Sequence, residues 1–218
     1  MLDFGYYNMD CMIGMAQFPD KYFELAIVDP PYGIGVDGQK ESICKNPKHN
    51  RKEHIRKGWD DAIPSNGYFR ELERVSVNQI IWGGNYFVPF LTEGKKGWVV
   101  WDKGQHGLTM SDCELAYSSF DVPTRIFTKN RVALLQEGTI HPTQKPVALY
   151  EWLLTHYAKA GDKILDTHVG SASSLIACHN LDFRYVGFEL DPDYYEMSTK
   201  RLEAVKAQSR LFEAEEST

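Results

Sequence analysis

Several absences narrow the chemistry of this 218-residue chain before any motif is read. No two of its four cysteines, Cys11, Cys44, Cys113 and Cys178, stand in C-x-x-C spacing. Neither a zinc ribbon nor a disulfide framework is therefore expected, and no metal is assigned. No apolar run approaches the ~18 residues that span a membrane. The opening MLDFGYYNMD has neither a basic start nor an apolar core, which predicts no signal peptide and a cytoplasmic location. There is no lysine-bearing phosphate loop, and the full G-x-G-x-x-G of a dinucleotide site is missing. Positive charge is also short: 24 Lys and Arg against 30 Asp and Glu leave −6, which taken alone argues against a nucleic-acid partner.

The charge is unevenly spread. Lys40 to Lys57, KESICKNPKHNRKEHIRK, holds seven Lys and Arg against two Glu, and FEAEEST at the other end is acidic. The basic run lies inside residues 36–60, which carry no apolar period and read as a long loop, functional or disordered, whose basic charge suits closing over phosphates or simply facing solvent. The length suits one domain with its own core, or one domain carrying a modest insertion.

Apolar spacing marks out the elements. Leu25 to Asp29 reads as a buried strand ended by turn chemistry. Gly67 to Val77 has helical spacing, with Phe69, Leu72 and Val75 on one side, and NQIIWGGNYF reads as a strand that breaks at Gly83-Gly84. From Gly97 to about Leu135 the texture is β-like, in GWVVWDK, CELAYSS and TRIFTKN. Pro146 opens an amphipathic helix with Leu149, Trp152, Leu153 and Tyr157 inward. KILDTHVGS and RYVGFEL are strands separated by a helix through ASSLIACHNL, and Asp191 caps a last helix with Pro192 at its first position. Strands alternating with helices predict a three-layer α/β sandwich of Rossmann-like type.

Two strand ends carry chemistry. Asp166 to Gly170, DTHVG, sits where a strand feeds a helix, and Glu189 ends the next strand nineteen residues after Gly170. That is the layout of a nucleotide-type cofactor site: the glycine admits the ligand and the acid takes ribose hydroxyls. At the other, Asp29-Pro30-Pro31-Tyr32, prolines lock two φ angles and confine Asp29 to extended backbone. The Asp29 side chain and the Pro30 carbonyl are thereby held as two acceptors suited to an NH₂ group, and Tyr32 offers a face for a base. A bare D-P-P also serves simply to stop a strand.

Read together, DPPY (Asp29 to Tyr32), HPTQKP (His141 to Pro146), DTHVGS and GFELD (Gly187 to Asp191) resemble the motifs of the DNA amino-methyltransferases that modify adenine N6 or cytosine N4. NMDCMIGMAQFPD and IIWGGNYF resemble flanking segments of that family. The order, catalytic motif before cofactor motif, is that of its circularly permuted β-class. The resemblance implies an S-adenosylmethionine-dependent enzyme that acts on double-stranded DNA with the target base flipped out. By this resemblance Asp29, Pro30, Pro31 and Tyr32 hold the target amine and base. Asp10 and Cys11 meet the cofactor's adenine, and Glu189, followed by Leu190, takes its ribose. Asp166, Thr167, His168, Gly170 and Ser171 form the cofactor loop beside Asp29. His141, Thr143 and Lys145 lie near the methionine end, with Lys145 pairing the carboxylate.

Three positions depart from the family. Thr167 and His168 replace a proline and an aromatic, and Ala172 replaces a glycine. The resemblance divides the chain into a catalytic half (1–101), a small target-recognition region (102–138), a cofactor half (139–207) and an acidic tail (208–218). Lys103, Arg125, Lys129 and Arg131 are its candidate phosphate or base contacts. A recognition region that small implies a short target sequence or reliance on a second subunit, as in a homodimer. The aspartate leading DPPY points to adenine N6, with cytosine N4 the alternative on the same scaffold. From another class, a DNA- or cofactor-binding protein that has lost catalysis remains open, against which the intact Asp29 to Tyr32 speaks.

Overall fold

The computed structural model describes residues 1–38, 56–91, 97–104, 107, 111–130 and 139–216, with side chains to 208. The basic run falls outside them except for Arg56 and Lys57, as does Arg131.

Among the described residues, eight strands form one sheet: β1 (Gly5–Asn8), β2 (Phe23–Val28), β3 (Ser76–Trp82), β4 (Trp98–Asp102), β5 (Cys113–Ser118), β6 (Arg125–Thr128), β7 (Lys163–Asp166) and β8 (Arg184–Glu189). Their order is β1-β8-β7-β2-β3-β5-β4-β6, and β5 alone runs against its neighbours. The helices are α1 (Cys11–Met15), α2 (Asn66–Val75), α3 (Val147–Tyr157), α4 (Ser173–Asn180) and α5 (Pro192–Glu216).

β2 shows why the architecture has three layers. Phe23, Ala26 and Val28 join one core cluster with Phe69, Leu72 and Val75 of α2. Leu25 and Ile27 join another with Leu149 and Leu153 of α3 and Ala177 of α4. Alternate residues of one strand are thus buried on opposite faces, which requires helices on both. α3 buries Leu149, Tyr150, Leu153 and Leu154, while Trp152 and Tyr157 are only partly covered. Its apolar face is therefore turned slightly from the expected stripe.

Chain direction then makes the cleft. From β2 the chain passes through α2 to β3, one step toward one edge of the sheet. From β7 it passes through α4 to β8, one step toward the other. The carboxyl ends of β2 and β7 are neighbours whose connections diverge, and a crevice opens between such ends. Asp29 and the 166–170 turn are brought to the same place.

Among the described residues of segment 102–138, 113–118 is a strand inserted between β3 and β4, and 125–128 is the sheet's edge. The alternation of CELAYSS and TRIFT fits a sheet with partners on offer, and β3 and β4 supply them.

Candidate active site

The cleft at these strand ends has a volume of about 1410 Å³ and is lined by every candidate site residue except Asp166. Drug-sized pockets span roughly 300–1,000 Å³, so this cleft can take a nucleoside-sized ligand and a base side by side.

On the β7–β8 side, Gly170 adopts φ +54°, and its N–H donates to Glu189 Oε2 at 2.9 Å. Glu189 Oε1 accepts from Asp191 N at 2.9 Å. The carboxylate is thus pinned by two backbone donors, and each oxygen keeps a lone pair for vicinal hydroxyls. Asp10 caps α1 by accepting from Met12 N at 2.7 Å, and Cys11 follows it on the cleft wall. Leu190 is exposed at the rim. This donor and acceptor set fits the adenosine portion of a nucleoside cofactor.

Asp166 departs from expectation. Its carboxylate is turned under the loop, accepting from His168 N at 3.0 Å and from the Ser174 hydroxyl. It holds the turn from below while Thr167 to Ser171 face the cleft. The unusual Thr167 and His168 form a buried polar link: Tyr68 Oη lies 2.7 Å from Thr167 Oγ1, which lies 2.9 Å from His168 Nδ1. Ala172, where the family has glycine, takes the left-handed conformation that a glycine adopts more easily, φ +62°.

Burial pushes Asp166 up to about 7, and it pushes His168 down to about 4. The two have opposite linkage. Asp166 binds its proton more tightly folded than unfolded, so its contribution falls as pH rises from about 4 to 7. His168 binds its proton more weakly folded, so its contribution rises from about pH 4 to 6.5. Thermal melts should show Asp166→Asn gaining on wild type as pH rises through that window, and His168→Gln losing its relative advantage there. A flat difference curve for either contradicts the buried setting assigned to that residue.

On the β2 side, Tyr32 donates to Asp29 Oδ1 at 2.6 Å. Its ring lies against Gly83, where an added Cβ would sit 2.2 Å from Tyr32 Cε1, and stacks on Tyr86 at 5.0 Å and 16°. Gly83 has φ +73° and follows β3 directly, so the end of that strand is shaped to receive the tyrosine.

Lys145 also departs from expectation. It is 3% exposed, and its ammonium meets Asp29 Oδ2 at 2.5 Å, Glu114 Oε2 at 3.1 Å and Tyr32 Oη at 3.3 Å. Those three partners occupy the three donors of an ammonium, so the anticipated carboxylate of a ligand has no hydrogen left to meet. Glu114 Oε1 pairs in turn with Lys103 at 2.9 Å. Lys103 is thereby removed from the phosphate candidates, because it is itself buried. Burial would raise Glu114, but the Lys145 and Lys103 ammoniums outweigh it and hold the carboxyl down to about 2. For Asp29 burial wins, and its pKa lies above the ordinary value despite Lys145. Arg125 is exposed on the edge strand β6, and Lys129 is half-buried beyond it.

HPTQKP folds as a turn that joins the two sides. Gln144 N donates to His141 O, and Thr143 Oγ1 lies 3.0 Å from His141 Nδ1. The His141 ring packs 4.5 Å from Tyr194 and 5.1 Å from Trp59. Segment 56–64 passes over this end of the cleft. Asp37 accepts from the N–H groups of Lys57 and Gly58, and buried Asp60 accepts from Gly33 N and Val36 N. Lys57 Nζ reaches Asp191 and Asp193, each at 2.6 Å.

Glu114, Trp59 and Tyr86 were not among the residues expected from sequence. Only Glu114 carries a visible signal, an acid within the apolar strand CELAYS.

Comparison with known proteins agrees with this geometry. The sequence model of the family described as DNA methylase matches residues 100–200. Over that segment the chain is similar to the DNA methylase family. Over 64 residues it is 39% identical to the type II methyltransferase M.HpaI of Haemophilus parainfluenzae, a match covering 29% of this chain and 20% of the relative. The chain thus spans about a fifth of that relative's length. It is 25% identical to the putative methylase YubD of Escherichia coli K12 over 90% of this chain and 89% of the relative. Among solved structures, the M1.HpyAVI–SAM complex superposes with a TM-score of 0.60 at 20% identity, covering 90% and 98% of the two chains. The PvuII cytosine-N4-specific DNA methyltransferase superposes with 0.61 at 12% identity, covering 95% and 91%. These likenesses carry the methylase fold across nearly the whole chain.

Proposed function

We propose that this protein is an S-adenosylmethionine-dependent DNA methyltransferase of the permuted β-class that modifies the exocyclic N6 amine of adenine. The observation that carries the reading is the meeting of Asp29-Pro30-Pro31-Tyr32 and the Gly170–Glu189 pair in one cleft large enough for both ligands. When bound, S-adenosylmethionine supplies an electrophilic methyl group on a sulfonium.

The chain's own work is to hold the amine. An exocyclic amine conjugated with its ring is a poor nucleophile. Asp29 accepts one N–H on a lone pair that Tyr32 and Lys145 leave open, and the Pro30 carbonyl accepts the other. Those bonds orient the nitrogen lone pair toward the methyl, an effect of positioning and electrostatics. Once the methyl is transferred from the sulfonium, the amine's extra proton would leave toward the Asp29 carboxylate. No nucleophilic side chain is required. Carbon-5 cytosine methylation would need a cysteine that in its enzymes follows proline, and none of the four here does. To reach this cleft a base must leave the duplex stack, at a cost of roughly a few kcal/mol.

Aspartate at the head of the motif favours adenine; the likeness to a cytosine-N4 enzyme keeps cytosine N4 as the second reading. Incubation with methyl-labelled S-adenosylmethionine and duplex DNA, then digestion to nucleosides, is expected to give N6-methyladenine. Label in N4-methylcytosine overturns the adenine assignment, and no label in any nucleic acid overturns the activity.

Glu189→Ala tests the cofactor half separately. Loss of charged hydrogen bonds worth about 1.5–3 kcal/mol should weaken S-adenosylmethionine binding by one to two decades in titration calorimetry. Unchanged affinity would remove Glu189 from the site.

A further inference from the structure

Behind Asp29 lies a pair of charged side chains to which this reading gives no use. Lys145 stands between Asp29 and Glu114, its three hydrogens spent on Asp29, Glu114 and Tyr32. Glu114 is held from its other side by Lys103. Four charges of alternating sign thus run from the DPPY motif at the end of β2, through HPTQKP, to the antiparallel strand β5. The indole and phenol around the ammonium add to its confinement: Lys145 Nζ lies 5.3 Å from the Trp82 ring centroid and 5.7 Å from that of Tyr32. A buried ammonium is a costly element where an apolar residue would pack as well. Its orientation is over-determined and it ends on the carboxylate that receives the amine.

We propose that Lys145 and Glu114 are positioning residues for Asp29: Glu114 clamps the ammonium, and the ammonium fixes the rotamer and the negative charge that Asp29 presents to the target amine. This inference rests on the proposed role of Asp29 itself. Its physical basis is the competition at Asp29. Burial disfavours the carboxylate, and a protonated Asp29 has lost an acceptor and gained a donor, so it repels the N–H it must bind. The cation of Lys145 opposes that, whereas the charge of Glu114 acts on Asp29 in the same direction as burial. Glu114 therefore serves Asp29 only through Lys145, by holding it in place.

The other titratable groups facing Asp29 are Tyr32 on its own turn, Tyr68 of α2, Tyr150 of α3 and Asp166 at the end of β7. Burial pushes the three tyrosines far up, so they stay neutral through the working range. Asp166 titrates nearby but touches neither Lys145 nor Glu114 in its bonds to His168 and Ser174.

The test uses the full chain with S-adenosylmethionine and duplex DNA, reading kcat, KM and the pH dependence of kcat/KM, with cofactor binding measured alongside. Lys145→Met is expected to lower kcat by about a hundredfold, the scale of one preorganised electrostatic contact. It should leave cofactor affinity within about twofold and move the acid limb of kcat/KM to higher pH. Glu114→Gln, nearly the same in volume, is expected to lower kcat by about tenfold and to move the acid limb the other way, since a negative neighbour of Asp29 is gone. The double variant should be no slower than Lys145→Met alone, because Glu114 acts through the lysine. Wild-type kcat and acid limb in either single variant overturns the inference, as do independent, multiplying losses in the double. A lost cofactor affinity in both would also overturn it, assigning the pair to the cofactor instead. Should Lys145→Met fail to fold, the direction of the Glu114→Gln shift decides alone. Asp29→Ala is run beside them: if it keeps activity, the reading of Asp29 has failed. If it is inactive while Lys145 and Glu114 variants behave as wild type, only the positioning role has.

Discussion

Asp29→Ala should abolish methyl transfer while S-adenosylmethionine still binds. The expected loss is about a thousandfold or more, since the variant removes both an oriented acceptor and the charge that steadies the developing ammonium. Stability should change little. The substitution removes a carboxylate that burial disfavours, and Lys145 keeps Glu114 and Tyr32 as partners. The residues proposed to hold the cofactor, Gly170 and Glu189, lie on the β7–β8 side and share no hydrogen bond with Asp29. Single-turnover assays beside binding titrations check both halves, and retained transfer would remove Asp29 from the reaction.

Gly83→Ala should disable the same site from behind. A Cβ there would stand 2.2 Å from Tyr32 Cε1, 2.5 Å from Cδ1 and 2.7 Å from Cζ. No side chain tolerates such contacts, so the ring must leave its place, and its hydrogen bond to Asp29 goes with it. The residue is also left-handed at φ +73°, which costs an alanine roughly 1–2 kcal/mol. The expected outcome is a melting temperature lower by several degrees and kcat lower by at least about a hundredfold. Wild-type activity in this variant would mean that the Tyr32 position is irrelevant to transfer.

The parts of this protein that were legible in its sequence are those fixed by short-range rules. Leu25 to Val28 is a strand because a short apolar run buried on both faces has no polar alternation. Asp191 is an N-cap because its side chain accepts from Asp193 N and Tyr194 N within one turn. The 166–170 turn could be placed because glycine and acid fall at a strand–turn–helix boundary. The direction of Asp166 could not be foreseen, since it depends on the Ser174 hydroxyl one turn into α4. Lys145 is a sharper case. In sequence it is a lysine ahead of a helix. Only the proximity of β5, whose Glu114 is 31 residues away in the chain, makes it a buried ion. Lys103 was misplaced for the same reason: a charge pattern does not tell a solvated lysine from one committed to a partner. Tyr86 follows the Gly83-Gly84 break by two residues, and nothing local reports that it folds back on Tyr32.

That last contact bears on how a target base would be chosen. With Gly83 against the Tyr32 ring and Tyr86 stacked on it, a base that arrives there exchanges one aromatic partner for another rather than displacing water. The stacking gain largely cancels, and every base has a face to offer. Discrimination then falls to the edge of the base, where an amine meets Asp29 and a carbonyl does not.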